Sequence, residues 1–406
     1  MNKPRLRRDI QPVPISMGSR QMITFVDPLQ LTEKSPAIGR DAVYILQMLD
    51  GNHDMRDIQM EMVRRSGGSL ISIETIESFI EQLDQAFLLE SERFIEKKRA
   101  FVEEFEGNPK RRPWHADKSY EADPVRLRAY IEEAEAGLPG IEPDSFSSPV
   151  AGILAPHIDI TVARTEYVDV YRRLKGRHYD LVVILGINHQ GMDGLYCVSD
   201  KTFITPLGEM ASDRDFVLDL KRRVAPGTIA SSDFDHKTEH SIEFQTIFLK
   251  YYLEGETAII PVLCNSVHEF ILGGKTIFDD ERYTSMVQAL TELIDERQGQ
   301  VLIVAGVDFS HIGPKFGHSM PAGNLLKRAQ SNDETIIAYL KDSDPERIFA
   351  HCLETRDQYN VCGLPSLLVF SALMNGCRAE LLAHKAYDEK ATRSAVTYAS
   401  MVYTRP

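Results

Sequence analysis

The stretches GILAPHID (152–159), LVVILGINH (181–189) and VLIVAGVDFSH (301–311) decide how this sequence is interpreted. Each is an apolar run of strand length that ends at side chains able to bind a metal, namely His157, His189, and Asp308 with His311. In an open α/β sheet, ligands bind beyond the carboxyl ends of the parallel strands. The three endings therefore predict one shared site.

Cys362, in the later stretch YNVCGLP (359–365), is a further metal-capable residue. A histidine that follows a buried strand is more often a structural hydrogen-bonding group than a ligand, so each ending taken alone favours a structural role. Several such residues in one chain are harder to explain independently, and together they favour a common site.

Beyond residue 150, apolar strand candidates alternate with helix candidates. The predicted strands are 150–155, 180–186, 257–264, 300–306, 378–384 and 395–403, and the predicted helices are 161–175, 212–222, 240–254, 281–297, 322–341 and 364–375. Such alternation predicts an α/β fold with a largely parallel sheet covered by helices on both faces, to which the two late strands add antiparallel edges.

The first 150 residues differ in pattern and predict a separate, smaller domain. Helical periodicity at 37–49, 54–65 and 72–90, with Ser72 as a possible N-cap, predicts a mainly helical, winged-helix-like module. A plain helical packing domain is the alternative. The predicted segments are a Pro- and Arg-rich flexible tail (1–20), this helical domain (21–106), a linker with one helix near 124–135 (107–149) and the α/β domain (150–406).

Composition excludes some classes of function. The 46 basic and 60 acidic residues give a net charge of −14, which disfavours nucleic-acid binding because phosphate contacts need clustered Lys and Arg. The five cysteines form no C-x-x-C pair, and neither a signal peptide nor a membrane-length apolar segment is recognisable, so we expect a cytoplasmic protein without a membrane partner. Nucleotide P-loop, nucleophile-elbow and dinucleotide motifs are absent from the sequence.

Six motifs from residue 150 onward resemble the Memo family, whose bacterial and archaeal form is called AmmeMemoRadiSam system protein B. They are APHID (155–159), LGINH (185–189), TPLGEM (205–210), TEHSIEFQ (238–245), VDFSH (307–311) and VCGLP (361–365). The resemblance implies a three-layer α/β/α mixed sheet similar to class III extradiol dioxygenases, which hold a non-haem iron. The earlier stretch with LDG (49–51) and QLDQAFLLE (82–90) resembles the PqqD-like peptide-binding fold, which binds peptides by strand addition or in a groove.

The Memo resemblance also implies which residues face the cleft. His157, His189 and Cys362 correspond to the residues associated with metal, and Asp308, His311, Glu239 and His240 lie beside them in the family. Imidazoles suit iron, copper and zinc, whereas a thiolate favours soft ions such as Cu(I) or zinc; we expect iron or copper, with zinc as an alternative. Ile158 and Asp159 after His157, and Gln190 after His189, depart from the usual family residues, and these departures leave the metal and the substrate open.

The residues beside the metal candidates predict acid–base roles. The three-residue spacing of Asp308 and His311 lets the carboxylate orient the imidazole as a proton carrier, while the alternative is that Asp308 caps a backbone segment. Glu239 and His240 open a predicted helix, where an acidic residue is favoured even without a catalytic purpose.

The sequence supports two functional hypotheses. The first is a metal-dependent redox enzyme that acts on a small-molecule or peptide substrate, or an accessory factor of a modification system with a radical-SAM protein as partner. The second is a scaffold that binds a metal or peptide without turnover and recruits a partner through its N-terminal domain.

Overall fold

The computed structural model describes residues 3–18, 20–32, 36–39, 42–67, 71–141, 149–191 and 193–406. The chain forms two compact units, Met1–Gly107 and Asn108–Pro406. The division falls at Gly107, where the predicted helical domain ends, but the segment after Gly107 is part of the second unit and not a linker.

The first unit combines a small antiparallel sheet with four helices. Its elements are β1 (Gln11–Met17), β2 (Arg20–Val26), β3 (Ile38–Gly39), α1 (Val43–Met48), α2 (Met55–Arg65), α3 (Ile73–Gln85) and α4 (Glu92–Glu106). Side chains of Asp54, Ser72 and Ser91 cap α2, α3 and α4 by accepting hydrogen bonds from free backbone N–H groups. The buried faces of α2 and α3 pack together around Ile58, Ile76, Ile80 and Leu83.

The prediction of a flexible tail over residues 1–20 is wrong for the residues that the structure describes. Residues 11–17 form β1, which pairs with β2 along its whole length, and Leu6 N donates to Leu49 O over 2.7 Å. Arg7 is buried, with its guanidinium 2.8 Å from Asp27. Pro12 is accommodated because β1 forms an edge of this sheet, where β2 is its one neighbour among the described strands.

The predicted helix over 37–49 begins too early. Ile38 and Gly39 belong to β3, residues 40 and 41 lie outside the described residues, and the helix runs from Val43 to Met48. Ile38 pairs with Ile23 of β2, so strand pairing determines the conformation of these residues despite their helical spacing.

The second unit contains the α/β fold. Its strands are β4 (Lys110–Arg111), β5 (Val150–Ala155), β6 (Leu181–Ile187), β7 (Tyr196–Val198), β8 (Thr202–Thr205), β9 (Gly208–Met210), β10 (Ala258–Cys264), β11 (Val301–Gly306), β12 (His311–Ile312), β13 (Arg378–Glu389) and β14 (Ser394–Thr404). Its helices are α5 (Pro124–Ala136), α6 (Ile160–Tyr171), α7 (Arg214–Arg223), α8 (His240–Tyr252), α9 (His268–Gly273), α10 (Glu281–Glu296), α11 (Leu326–Lys341), α12 (Pro345–Glu354) and α13 (Leu364–Leu373).

The main sheet of this unit has eight strands in the order β12-β14-β5-β11-β6-β10-β7, with β13 paired to the long strand β14. The four central strands β5, β11, β6 and β10 are parallel, and β7, β12, β13 and β14 add antiparallel pairs. A second small sheet joins β4, β8 and β9. The carboxyl ends of the central strands therefore meet at one edge.

Helices cover both faces of the main sheet and make three layers. Alternate residues of the central strands point to opposite sides: Val183 and Leu185 of β6 pack with α7, α10 and α13, and Val182 and Ile184 pack with α6 and α8. Strands buried on both faces are apolar throughout, as the sequence of β6 is. The predicted α/β class and both helical layers are confirmed.

The prediction of a linker over residues 107–149 is wrong for most of that range. β4 pairs with β8, α5 packs on α6, and Arg111, Tyr120 and Leu127 are buried within the second unit. Residues 142–148 lie outside the described part of the chain. Among the described helices of both units, none has the length and apolar character needed to cross a membrane.

Candidate metal site

The carboxyl ends of β5, β11 and β6, which are neighbours in the sheet, bring the predicted ligands together. His157 follows β5 by two residues, and His189 follows β6 by two residues. Ligand atoms of His157, His189 and Cys362 lie within 4.8 Å of one another. The strand-end pattern in the sequence thus predicts a real cluster, although the role of each residue in it stays a prediction.

Cys362 reaches the cluster from the loop before α13. This loop is fastened to the chain leaving β11: Gly363 N donates to Asp308 O over 3.1 Å, and Cys362 N donates to Phe309 O over 3.3 Å. The approach is so close that a Cβ atom on residue 363 would lie 2.5 Å from Asp308 O. Glycine at this position is therefore what lets the Cys362 thiol enter the site.

His157 is buried and has one ring nitrogen fixed by the protein. Its Nδ1 lies 3.0 Å from Gly306 O, so Nδ1 carries the proton and Nε2 keeps its lone pair. Nε2 lies 3.4 Å from Cys362 Sγ and 3.6 Å from Asp308 Oδ2. Burial, with His189 nearby, lowers the pKa of His157 well below its usual value, which keeps the ring neutral.

His189 is oriented in the same way by Glu239. Its Nδ1 lies 3.0 Å from Glu239 Oε2, and its backbone N–H donates to the same oxygen over 3.1 Å. Burial alone would lower the pKa of His189, but the Glu239 carboxylate outweighs burial and raises it. In turn, burial would raise the pKa of Glu239, yet the two imidazoles of His189 and His240 hold it well below the usual value.

Glu239 also begins α8 and places His240 beside His189. The Glu239 carboxylate accepts from the backbone N–H groups of His240 and Ser241, as an N-cap does, and lies 3.1 Å from His240 Nδ1. The rings of His189 and His240 stack with centroids 5.0 Å apart. His189, Glu239 and His240 form a second group whose ligand atoms lie within 4.8 Å.

Asp308 and His311 do not form the predicted pair. Asp308 Oδ1 accepts from His157 N over 3.1 Å, whereas His311 Nδ1 lies 3.0 Å from Phe309 O. The chain is extended here, because His311 in β12 pairs with Val396 in β14. Residues three apart in an extended chain point to opposite sides. The alternative, in which Asp308 caps a backbone segment, is closer to the observed contact. The backbone that Asp308 binds is that of His157, just after β5, and not the segment that follows Asp308.

Burial shifts the pKa values of both residues. Burial raises the pKa of Asp308 to about 7, against the lowering effect of hydrogen bonds from the His157 and Ile158 backbone. Burial lowers the pKa of His311 to about 4, so this ring is neutral near pH 7. Burial also raises the pKa of the Cys362 thiol well above its usual value.

A buried network behind α8 supports the site and was not predicted. Glu243, one turn after Glu239, forms an ion pair with Arg111, and the Arg111 guanidinium donates to the carbonyl oxygens of His236 and Glu239 over 2.9 and 3.0 Å. Glu243 also accepts from Tyr120 and from the backbone of Trp114 and His115. The sequence contains a signal, the basic stretch KRRPWH (110–115) in a chain of negative net charge, but such a stretch is more typical of a solvated segment.

A cavity of about 480 Å³ opens onto the cluster. It is lined by Ile187, Asn188, His189, Ser266, Val267, His268, His311, Phe316, Asp357, Asn360, Val361, Cys362, Leu364 and Pro365. A volume of this size accommodates a small molecule or one side chain of a peptide. His157 lies deeper, behind the lining residues, so a ligand in the cavity meets His189, His311 and Cys362.

The donor set suits a transition-metal ion. Both candidate imidazoles have Nδ1 hydrogen-bonded to protein acceptors, the arrangement that metal-binding histidines usually have, and both therefore offer Nε2. Metal binding by Cys362 requires loss of its proton, which the ion itself favours. Neutral nitrogens with one thiolate fit soft and borderline ions.

Comparison with known proteins gives the family. The model of the family described as Memo-like protein matches residues 111–402. A MEMO1 family protein of Aquifex aeolicus is 30% identical over 99% of this chain and 100% of its own length. MEMO1 family protein MK0963 of Methanopyrus kandleri is 27% identical over 73% of this chain and 99% of its own length, so part of this chain has no counterpart there. The chain belongs to the Memo-like family.

Proposed function

We propose that this protein binds a transition-metal ion through His157, His189 and Cys362 and is a metal-dependent oxidoreductase. The observation that carries the proposal is the convergence of two imidazoles and one thiol within 4.8 Å at the carboxyl edge of the sheet. Cys362 differs from the buried free cysteines Cys197, Cys264 and Cys352 because it lines the cavity and its sulfur lies 3.4 Å from Nε2 of His157. A cavity beside the cluster supports access for a substrate.

Iron or copper is the proposed ion, with zinc as the alternative. A bound ion would supply Lewis acidity, and in the case of iron or copper also electrons, to a small or peptide-borne substrate. The protein contributes the fixed tautomers: Gly306 O and Glu239 hold Nδ1 of the two histidines so that Nε2 of each faces the centre.

The protons in the proposed reaction are handled by residues around the cluster. His311 lines the cavity, has Nδ1 bound to Phe309 O and is neutral near pH 7, so its Nε2 can accept a proton from substrate. Asp308, whose pKa is raised by burial to about 7, can hold a proton beside His157. His240 stacks on His189 and shares its carboxylate partner, Glu239, which supports the orientation of both rings.

The first unit has a different proposed role, the recruitment of a partner. The proposed ligands all lie in the second unit, and the first unit has its own core of buried residues. Under this proposal the partner is a radical-SAM protein or the peptide that it modifies. A scaffold that binds a metal or peptide without turnover is the competing function, and it predicts that no substrate-dependent turnover is found and that partner binding survives in His311→Ala.

The experiment is anaerobic purification followed by measurement of metal per chain and of absorption spectra before and after exposure to air. We expect stoichiometric iron or copper in the wild type, a large loss in Cys362→Ser, and no loss in the matched control Cys377→Ser. A spectrum that changes in air supports a redox centre. Unchanged metal content in Cys362→Ser would reject the ligand assignment.

A further inference from the structure

We propose that the cavity beside the metal cluster recognises a substrate that carries an ammonium group next to an apolar body, with Asp357 as the residue that binds the ammonium. This inference rests on the proposed function in that it names the substrate class of the same site. It is carried by the charges and contacts of the residues that line the cavity.

Charge is the first observation. Among the described residues that line the cavity, Asp357 is the one carboxylate, and none is Lys or Arg. A phosphate or carboxylate substrate would therefore meet no Lys or Arg side chain there, and the proposed metal ion would be the one cation available to it. In the proposed site, the Cys362 thiolate and the adjacent Glu239 carboxylate balance a divalent ion, which leaves the charge of Asp357 uncompensated.

The contacts of Asp357 are the second observation. Its Oδ1 accepts from Val361 N over 2.9 Å. Its Oδ2 lies 3.8 Å from Nδ1 of the half-exposed His268, beyond hydrogen-bonding distance. The Asp357 side chain lines the cavity and is only 10% exposed, so the largely buried carboxylate has one oxygen, Oδ2, whose described partner is weak. Burial raises the pKa of Asp357, as expected for a carboxylate short of donors.

The loop that carries Asp357 is built rigidly. Arg356, Asp357 and Asn360 all have positive φ angles, between 45° and 52°, a left-handed conformation that is uncommon for residues other than glycine. Asn360 Nδ2 donates to His311 O and Phe316 O, which ties the loop to the segment of the proposed proton carrier. Asp357 is thus held in a fixed position relative to His311.

The other lining residues indicate the second feature of the substrate, its apolar body. Val267, Phe316, Val361, Leu364 and Pro365 supply an apolar wall. A carboxylate facing such a wall recognises a compact amphipathic cation, because the ammonium gains a charge-assisted hydrogen bond while the body leaves water. Free amines and the amino terminus of a peptide share this chemistry.

The test is calorimetric titration of the zinc-loaded full chain with 2-phenylethylamine, 2-phenylethanol and phenylacetate near pH 7. We expect the amine to bind about tenfold more tightly than the alcohol, the size expected for one charge-assisted hydrogen bond. Phenylacetate, which can also bind zinc, is compared in the metal-free chain, where we expect it to bind most weakly. In Asp357→Asn, which keeps an oxygen for Val361 N, the preference for the amine disappears. In the control Glu269→Gln, beside His268 but 67% exposed, it persists.

The inference is overturned if the wild type binds amine and alcohol equally. It is also overturned if the preference for the amine survives in Asp357→Asn, as it would if the amine bound the zinc. A second pair of probes, Phe-Gly-Gly and its N-acetyl form, identifies the source of the ammonium. Selectivity between the tripeptides assigns it to peptide amino termini, and selectivity confined to phenylethylamine assigns it to free amines.

The result is separable from the metal proposal. Repeating the titration with the metal-free wild type and with metal-free Asp357→Asn measures the contribution of Asp357 in the absence of the ion. If Cys362→Ser keeps its metal while the Asp357-dependent preference is present, the ligand assignment fails and the substrate inference stands. If Cys362→Ser loses its metal and no Asp357-dependent preference is found, the ligand assignment stands and the substrate inference fails.

Discussion

The Arg111 guanidinium donates from Nη2 to the carbonyl oxygen of Glu239 over 3.0 Å, so a residue distant in sequence holds the residue that orients His189. The same guanidinium forms an ion pair with Glu243, and both side chains are 1% exposed. The start of α8 is therefore fixed from behind by one buried cation.

Replacing Arg111 with Met is expected to destabilise the second unit by about 3–5 kcal/mol, because it leaves the Glu243 carboxylate buried without its cation. The matched control is Lys110→Met at the neighbouring position, whose pair with Glu209 is half-exposed and is worth under about 1 kcal/mol. Urea unfolding followed by fluorescence of Trp114, the only tryptophan, reports on this unit. Similar midpoints for the two variants would contradict the argument.

Glu239→Gln is expected to weaken metal binding about 10- to 100-fold without removing a proposed ligand. The carboxylate accepts from the backbone N–H groups of His189, His240 and Ser241 and from His189 Nδ1, and an amide replaces one acceptor oxygen with a donor. Competition with a chromophoric chelator measures the affinity. Glu209→Gln, which is exposed, serves as control, and an affinity equal to that of the wild type would show that Glu239 does not position His189.

Gly363→Ala is expected to lower metal content by displacing Cys362, since the added Cβ would lie 2.5 Å from Asp308 O and 3.1 Å from Val307 Cβ. Crowding of this kind costs about 1–3 kcal/mol in folding free energy. Gly323→Ala is the control, because a Cβ there meets nothing within 4 Å. Metal analysis and thermal unfolding of both variants check the prediction, which fails if Gly363→Ala retains the wild-type metal content.

His311→Ala is expected to keep its metal and lose turnover, because His311 is proposed to move a proton and not to bind the ion. Metal content is the internal control in this variant. Turnover comparable to that of the wild type would remove His311 from the proposed mechanism, and loss of metal would make it a ligand.

The first unit is expected to lose stability in acid through Asp27. Burial would raise the pKa of Asp27, but Arg7 and backbone N–H groups outweigh burial and lower it. A carboxyl whose pKa is lower in the folded state stabilises the fold fully above its unfolded value, near pH 3.9, and this stability is lost as the pH falls through the lowered folded value.

Hydrogen exchange of the β2 segment at pH 6 and at pH 3 measures this loss. Asp27→Asn should show increased exchange already at pH 6 and a smaller change on acidification. Asp9→Asn is the control, because Asp9 binds the same Arg7 from a more exposed position. If Asp27→Asn and the wild type respond equally to acid, Asp27 is not the group responsible.

The central sheet and the convergence of His157 and His189 were predictable because both depend on local patterns. Strands buried on both faces are continuous apolar runs, and parallel strands place the residues after them at one edge, so the proximity of His157 and His189 could be predicted from the sequence. The hydrogen bonds that orient the two imidazoles could not be predicted from these patterns, since the family resemblance places Glu239 beside the cluster without identifying it as the partner of His189. Glu239 and Gly306 are distant in sequence from the imidazoles that they orient, and no periodicity connects them.

The errors have a common physical origin in long-range pairing. The spacing of Asp308 and His311 suits a helical turn. Pairing with β14 makes the segment at His311 a strand, which separates the two side chains. Residues 11–17 and 108–120 have polar or Pro-rich sequences typical of loops, yet pairing with β2 and the Arg111–Glu243 ion pair order them. Whether the first unit shares the PqqD-like fold stays a prediction.

The loop that carries Cys362 is separated from His157 by more than half of the second unit, so the two meet only after β5, β11 and α13 have docked. An ion bound between them would therefore link these two segments late in folding. Chelators should then shorten the lifetime of the native state more than they alter the rate of its formation, and the melting temperature should rise with the concentration of free ion.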